Sequence, residues 1–199
     1  MGEHRRGRVA AACLLAAPAA VAHSPIEGIG DFYGGILHPA LVPAHLLALV
    51  SLGLLLGQLG LDAMRVGYAA FLPALIAGLV AAGAGVSINS LELWLLTGSL
   101  VCGLLVAVRV PLPGSLAAVL AGAVGLAVGL DSSPDIASAT RAAASLAGSG
   151  LGACVCLIFI GALAELPRRD WQRVAVRVVA SWGAASALLV LSLQWVALA

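Results

Sequence analysis

The sequence predicts an all-α, polytopic membrane protein with six transmembrane helices after a cleavable signal peptide. Composition is the first observation behind this fold class: 62% of the 199 residues are apolar and only 10% are charged, whereas soluble domains carry about 25% charged residues. The second is a mean hydropathy of +1.10. The third is that the apolar residues form runs of roughly 20, the length that one crossing of the hydrocarbon layer requires.

The same composition excludes several classes of protein. Six or seven spans would use nearly the whole chain, so no room remains for a soluble catalytic domain, a Walker loop or a dinucleotide-binding fold. The net charge is +1 and all ten basic residues are arginines, so no basic face is large enough to follow a nucleic-acid backbone. The four cysteines lie in apolar runs and predict neither a disulfide framework nor a zinc site.

The amino-terminal element is predicted to be a signal peptide over residues 1–22. A basic H-R-R-G-R stretch is followed by an apolar run and then by small residues that fit a signal peptidase site ending at Ala22. Cleavage there would leave a periplasmic segment, 23–35, that begins with His23. The alternative is an uncleaved anchor helix, which Pro18 and the many alanines disfavour.

Six apolar runs divide the remaining domain, 36–199, into predicted spans. The breaks between them contain proline, serine or charged residues, which are typical of loops. The predicted spans are 36–58, 67–86, 91–110, 114–130, 137–166 and 171–198. Glycine-rich stretches over 78–85, 122–129 and 148–152 are expected to be helix-packing surfaces, because small residues let helices approach closely.

The placement of arginine predicts the orientation of these spans. With the mature amino terminus outside, six crossings place the first, third and fifth loops in the cytoplasm. These loops and the adjoining helix ends carry six arginines: Arg65, Arg109, Arg168, Arg169, Arg173 and Arg177. The outer side carries only Arg141, so the positive-inside rule predicts a multi-pass protein of the inner membrane with both termini periplasmic.

Acidic residues gather on the predicted outer side. A rim of five carboxylates and two imidazoles would concentrate divalent cations and repel anions, and ordinary solvated loops are the alternative. The rim comprises Glu27, Asp31, Glu92, Asp131, Asp135, His23 and His38.

The most informative segment reads G-D-F-Y-G-G-I-L-H-P-A-L-V-P-A-H-L-L-A-L over 30–49. His38 and His45 are two helical turns apart, so both project from one face of a straight helix, with His45 roughly 10 Å deeper. At that spacing they form a stepped pair that cannot hold one ion together. Pro43 frees the carbonyl oxygen of Pro39, which becomes available as a ligand.

Ionisable groups at membrane depth are functional candidates by default, and His45 meets that description best. Its alternative role is a neutral histidine hydrogen-bonded to a neighbouring helix. Glu92, near the outer end of the third span, is the predicted carboxylate partner, and an interfacial side chain is its alternative. Imidazole with carboxylate suits nickel, cobalt, zinc or copper(II). A processed His23 would add an amine beside its imidazole, and a disordered terminus is the alternative there.

At these residues the sequence resembles the HupE/UreJ family, small polytopic membrane proteins associated with hydrogenase and urease gene clusters. The resemblance spans essentially the whole chain and implies a nickel or cobalt permease. Its closing motif, W-Q-R-V-A-V-R-V-V-A-S-W over 171–182, looks like the final helix of one subgroup. The other matching positions are His23, His38, Pro39, His45 and Glu92.

Two positions depart from the family pattern. Ala44 stands where the family commonly has aspartate before the second histidine. The end of the fourth span reads G-L-A-V-G-L-D-S-S-P-D, where the family commonly has a histidine-rich stretch, and Asp131 and Asp135 offer oxygen ligands there instead. The candidate metal ligands are therefore His23, Asp31, His38, His45, Glu92, Asp131 and Asp135.

The leading functional hypothesis is a permease for divalent transition-metal ions, nickel or cobalt first and zinc or copper second, bound transiently and not as a permanent cofactor. The alternative is a non-transporting accessory or scaffold for hydrogenase or urease assembly, and a helix-packing partner of another membrane complex is a third option. The chain is not expected to be an enzyme. Ser149 and His45 could form a catalytic serine–histidine pair, but Ser149 lies among small residues that are typical of helix contacts. Expected partners are the lipid bilayer, a divalent metal ion, metalloenzyme maturation proteins and further copies of the chain, but no nucleic acid.

Overall fold

A computed structural model describes residues 30–134 and 138–198. In those ranges the chain forms seven α-helices and no strand, so the predicted all-α architecture is confirmed there. The helices are α1 Asp31–Leu41, α2 Pro43–Leu59, α3 Leu61–Gly83, α4 Leu91–Val108, α5 Gly114–Leu130, α6 Ala139–Glu165 and α7 Asp170–Leu198. The predicted signal peptide and His23 lie outside the described residues, as does Asp135.

Four of these helices, α3, α4, α6 and α7, are long and apolar enough to cross a membrane. The α1–α2 pair passes the same test together but is bent by 68° at its break, which brings the candidate spans to five. Helix α5 is apolar but has only 17 residues. By length and composition, the described residues thus form a multi-pass membrane protein with four or five candidate spans, whereas six spans were expected.

The first predicted span, 36–58, consists of two helices, so the prediction of one straight helix there is wrong. Proline disfavours the helical conformation in the residue before it, and Val42 is extended, with φ −85° and ψ 113°. Pro43, which has no N–H to donate, lies at the start of α2. The chain therefore turns between α1 and α2, and α1 begins at Asp31, earlier than expected.

The other helices begin and end close to the predicted positions. Helices α4, α6 and α7 differ from the predicted bounds by two residues or fewer, and α5 agrees with them. Helix α3 begins six residues earlier than expected, directly after Gly60. The φ of 96° at Gly60 suits glycine and lets the chain turn without a longer loop.

Glycines bring neighbouring helix backbones into direct contact. A Cβ atom added at Gly35 would meet the backbone of α6, and one added at Gly148 or Gly152 would meet the backbone of α1. Gly78 and Gly129 bring α3 and α5 together in the same way. The packing role predicted for the three glycine-rich stretches is confirmed.

Helix α2 occupies the centre of the bundle, in contact with each of the other six helices. The first turn of this central helix carries His45, so its imidazole faces protein and not lipid. The completely buried side chains deeper along α2 are Ala48, Leu49, Leu52, Leu55 and Leu56.

Candidate metal site

His45 is buried and hydrogen-bonded to a carboxylate. Its Nε2–H donates to Oδ2 of Asp131 at 2.9 Å. The imidazole is 0% exposed, and the side chain of Asp131 is 30% exposed. Asp131 directly follows the last residue of α5, so the end of one helix supplies the partner of a histidine at the start of another.

The break at Val42 brings His38 close to His45. Their ring centroids are 5.2 Å apart, and the ring planes are inclined at 80°. Two turns of a straight helix would have separated the two residues by roughly 10 Å along the axis. The predicted stepped arrangement is therefore wrong, and both imidazoles belong to one site.

Each imidazole has a buried nitrogen without a hydrogen-bond partner among the described residues: Nε2 of His38 and Nδ1 of His45. Since Nε2 of His45 donates its proton to Asp131, the Nδ1 of a neutral His45 presents a lone pair. Buried polar atoms nearly always have a partner. Two such nitrogens on adjacent rings are therefore typical of a site that binds a further group.

The separation of the two rings is compatible with a divalent ion shared between them. Imidazole nitrogens bind zinc at about 2.0–2.1 Å, which places the ring centroids of two tetrahedral ligands roughly 5 Å apart. A carboxylate behind a metal-binding histidine orients the imidazole and raises its basicity, and Asp131 occupies that position behind His45. The geometry thus suits a histidine pair supported by a carboxylate.

The side chains of this site are few. In the ranges 30–134 and 138–198, no group of three or more His, Cys, Asp or Glu side chains is arranged to hold a metal ion. Pro43 has no N–H, so the carbonyl oxygen of Pro39 lacks its usual helical donor. That oxygen is a further ligand candidate beside the two imidazoles, as the sequence predicts.

The remaining predicted ligands have different surroundings. Glu92 lies in the first turn of α4, where it is exposed and makes no hydrogen bond or ion pair with the described residues. Asp31 accepts hydrogen bonds from Nε–H and Nη2–H of Arg141 at 2.6 and 3.0 Å. Its carboxylate is therefore already paired. The roles predicted for His23 and Asp135 concern residues outside the described ranges.

The predicted pairing of His45 with Glu92 is wrong, because the carboxylate in contact with His45 belongs to Asp131. Sequence reasoning placed Asp131 on the outer rim and proposed it as an oxygen ligand, but found no signal for this contact. The two residues are 86 positions apart. Their pairing depends on how α5 packs beside α2, which no local pattern reports.

Two buried serines tie the end of α5 to α6. Ser132 donates to the carbonyl oxygen of Val128 at 2.7 Å and therefore accepts from Ser149 at 2.9 Å. Ser149 is thus paired with Ser132 and not with His45, so the serine–histidine pair considered from the sequence does not form. The two bonds also hold the neighbouring Asp131 in position.

Comparison with protein families adds independent information. The family model described as HupE / UreJ protein matches residues 11–193. The chain belongs to the HupE/UreJ family. The resemblance inferred from the sequence motifs is thus confirmed, and the match includes both histidines of the site. Comparisons of this HupE/UreJ protein with curated proteins and with solved structures find no match.

In this HupE/UreJ protein, the carboxylate beside the second histidine comes from the end of α5. The residue before His45 is the buried Ala44 and not an acidic residue. Asp131 reaches the same imidazole from the end of α5. His45 therefore has a carboxylate partner even though Ala44 stands where the family commonly has aspartate.

Proposed function

We propose that this HupE/UreJ protein is a permease for divalent transition-metal ions, with nickel or cobalt as the cargo, linked to the maturation of a metalloenzyme. The observation that carries the proposal is the pair formed by His38 and His45, two rings 5.2 Å apart with buried, unpartnered nitrogens. The family resemblance, which associates such proteins with hydrogenase and urease gene clusters, supports the same assignment.

The chemistry of the ligands selects the class of ion. Imidazoles favour nickel, cobalt, zinc and copper over magnesium and calcium, which prefer oxygen ligands alone. Asp131 adds negative charge behind His45 and so strengthens the binding of a cation. The ion is a cargo bound in passage, and the proposal assigns the chain neither a permanent cofactor nor a catalytic step.

The proposed topology has six crossings of the inner membrane after a cleaved signal peptide. Helices α1 and α2 form one broken crossing, since irregular backbone at membrane depth is tolerated where protein encloses it. Helix α5 forms a short sixth crossing. The arginines at the end of the bundle opposite His45 support a cytoplasmic position for that end and periplasmic positions for both termini.

Inward movement of the ion has a driving force but no open path in the described conformation. The membrane potential contributes about 2.3 kcal/mol per charge per 100 mV, and twice that for a divalent ion. Deeper along α2 than His45, the side chains of Leu49, Leu52 and Leu56 are completely buried. The conformation is therefore closed beyond His45, and passage requires the helices around α2 to separate.

The closed apolar core also favours a second candidate function, a non-transporting accessory or scaffold protein for hydrogenase or urease assembly. Such a protein would bind the ion at His38 and His45 without releasing it on the other side of the membrane. The two functions share the metal site and differ in whether the ion crosses.

Binding and uptake of nickel and cobalt, measured side by side, distinguish the two functions. Wild type is compared with His38→Ala and with His45→Gln, which largely retains the side-chain volume, and Glu92→Gln is the matched control. A permease loses both binding and uptake in the histidine variants and keeps both in the control. Loss of binding in the histidine variants, with wild-type uptake no greater than that of cells lacking the protein, supports the accessory function. Metal binding that persists in both histidine variants would show that His38 and His45 do not form the metal site.

A further inference from the structure

The end of the bundle opposite His45 contains a cavity of about 500 Å³. It lies where α2, α4 and α6 end and where α7 begins. The cavity residue Gly57 is twelve positions from His45 on α2, or roughly 18 Å along the axis, so the cavity is separate from the candidate metal site. The charged residues that line it are Arg109, Arg168, Arg173, Arg177, Glu165 and Asp170.

The positive charge of this arginine cavity is only partly balanced by the carboxylates among the described residues. Four guanidinium groups face two carboxylates, and no ion pair within 4.0 Å joins any of them in the described ranges. Arg177 donates its Nε–H to the carbonyl oxygen of Ala107 at 2.8 Å. The guanidinium groups of Arg109, Arg168 and Arg173 make no hydrogen bond with the described residues.

The backbone at Arg109 does not explain why an arginine occupies that position. Arg109 ends α4 in the left-handed conformation, with φ 59° and ψ 47°. Glycine or asparagine usually occupies such a position, because a Cβ atom is disfavoured there. The backbone alone would favour glycine, so the arginine is explained by its side chain, either through a bound group or through the positive charge that cytoplasmic helix ends carry.

The arginine cavity lies at the expected depth of the lipid headgroups. Three apolar helices, α2, α4 and α6, end at its rim. Trp171, beside the cavity at the start of α7, is 64% exposed, and exposed tryptophans are enriched at the boundary between membrane and water. The phosphates of anionic lipids lie at the same level and attract basic residues there.

We propose that the arginine cavity binds the phosphate group of an anionic lipid headgroup. Guanidinium groups bind phosphate oxygens through two parallel N–H donors. Arg109 at the end of α4, Arg168 in the loop between α6 and α7, and Arg173 at the start of α7 offer such donors. Cavities of this size hold small ligands. Free inorganic phosphate has the same chemistry, so the experiment includes both sources. The proposal is independent of the metal site.

The test compares two double variants of the full chain that carry the same change in charge. Arg109→Gly/Arg173→Gln removes two cavity arginines, and its glycine suits the left-handed backbone. Arg65→Gln/Arg169→Gln, the control, removes two arginines at the same end of the bundle that do not line the cavity. Each purified protein is titrated in detergent with phosphatidylglycerol, phosphatidylcholine or inorganic phosphate, and the bound ligand is quantified by native mass spectrometry and calorimetry.

We expect wild type to bind phosphatidylglycerol about tenfold more tightly than phosphatidylcholine, and the cavity variant to lose that preference while the control keeps it. Binding of inorganic phosphate alone, lost in the cavity variant, would support the phosphate site with free phosphate as its ligand. An unchanged or higher melting temperature shows that the cavity variant is folded. Equal losses in both double variants, or no binding of either phosphate source beyond that of phosphatidylcholine, would overturn the proposal.

Discussion

At the scale of single residues, the two ring nitrogens of His45 have different surroundings. Nε2 has a carboxylate partner 2.9 Å away, whereas Nδ1 has none among the described residues. Leaving a buried polar group without its partner costs about 1–3 kcal/mol, so Asp131 stabilises the position of the imidazole. The carboxylate also increases the electron density that the ring offers through Nδ1. We therefore expect Asp131 to act on the ion through His45.

The first prediction concerns Asp131→Asn. An amide keeps the size of the side chain but removes the negative charge that orients and polarises His45, so we expect nickel affinity to fall by about 10–100-fold. Calorimetric titration of the purified protein measures the change. Glu92→Gln is the control and should keep wild-type affinity, because Glu92 is exposed and does not contact His45. The opposite ranking of the two variants would contradict the site described above.

The second prediction concerns Asp31→Asn. Its carboxylate accepts two hydrogen bonds from Arg141, whose side chain is 66% exposed. An ion pair with one exposed partner contributes little to stability, so we expect only a small decrease in the free energy of unfolding. Nickel affinity should not change, because this carboxylate is already paired. Chemical denaturation measures the free energy of unfolding, and calorimetric titration measures nickel affinity. A large loss of affinity would show that Asp31 is a ligand.

At the scale of the helices, the break between α1 and α2 determines whether one ion can meet both histidines. The break follows from Pro43, which keeps Val42 out of the helical conformation. Its 68° angle turns α1 so that His38 approaches His45. Contacts between the glycines of α1 and α6 then hold α1 in that direction.

The third prediction is that Pro43→Ala weakens metal binding. The substitution lets Val42 become helical and straightens the chain, which would move the two imidazoles toward a separation of roughly 10 Å. We expect nickel affinity to fall at least about tenfold, since one of the two imidazoles is lost. The matched control is Pro73→Ala, which removes a proline from the interior of α3. If Pro43→Ala binds nickel as wild type does, the break is not needed for the site.

The fourth prediction tests the contact between α1 and α6. A methyl group at Gly152 would collide with the backbone of Ile36, so we expect Gly152→Ala to lower the free energy of unfolding by about 1–3 kcal/mol. The control is Gly34→Ala, where an added Cβ meets no other atom within 4 Å and a better helix former adds up to about 1 kcal/mol. Chemical denaturation in detergent compares them. Similar stabilities for both variants would contradict the close packing of α1 on α6.

Most helices, most helix ends and the glycine-rich packing stretches were predictable because each depends on residues close together in sequence. Apolar runs and the residues that interrupt them mark α4, α5, α6 and α7 to within two residues. The break at Val42 was not predicted, although Pro43 is its cause, and the angle of the break depends on packing against α6. The contact between His45 and Asp131 was not predictable either, since α2 and α5 must pack together before those residues meet.

At the scale of the whole molecule, the two ends of the bundle have different chemistry. One end carries the paired histidines and Asp131, and the other carries the arginine cavity. Helix α6 runs between them, and its 27 residues span about 40 Å, more than the thickness of the hydrocarbon layer. The two ends are therefore expected to face opposite sides of the membrane.

The fifth prediction tests this arrangement by labelling single cysteines. Ser133→Cys, beside Asp131, and Arg169→Cys, between α6 and α7, replace exposed residues in a chain whose native cysteines have been changed to alanine. A reagent that does not cross membranes should label Ser133→Cys in intact cells and Arg169→Cys only after the membrane is opened. Labelling of both cysteines in intact cells would contradict the proposed orientation.

The shortness of α5 has a consequence for the surrounding lipid. Its 17 residues are about 26 Å long, roughly 4 Å less than a typical hydrocarbon layer. A bilayer adapts to a short helix by thinning around it. With α5 as the proposed sixth crossing, the resulting depression of the bilayer surface would let water descend to the carboxylate at the end of α5. A hydrated ion would then keep its water for part of the depth of the membrane and shed it only at the imidazoles.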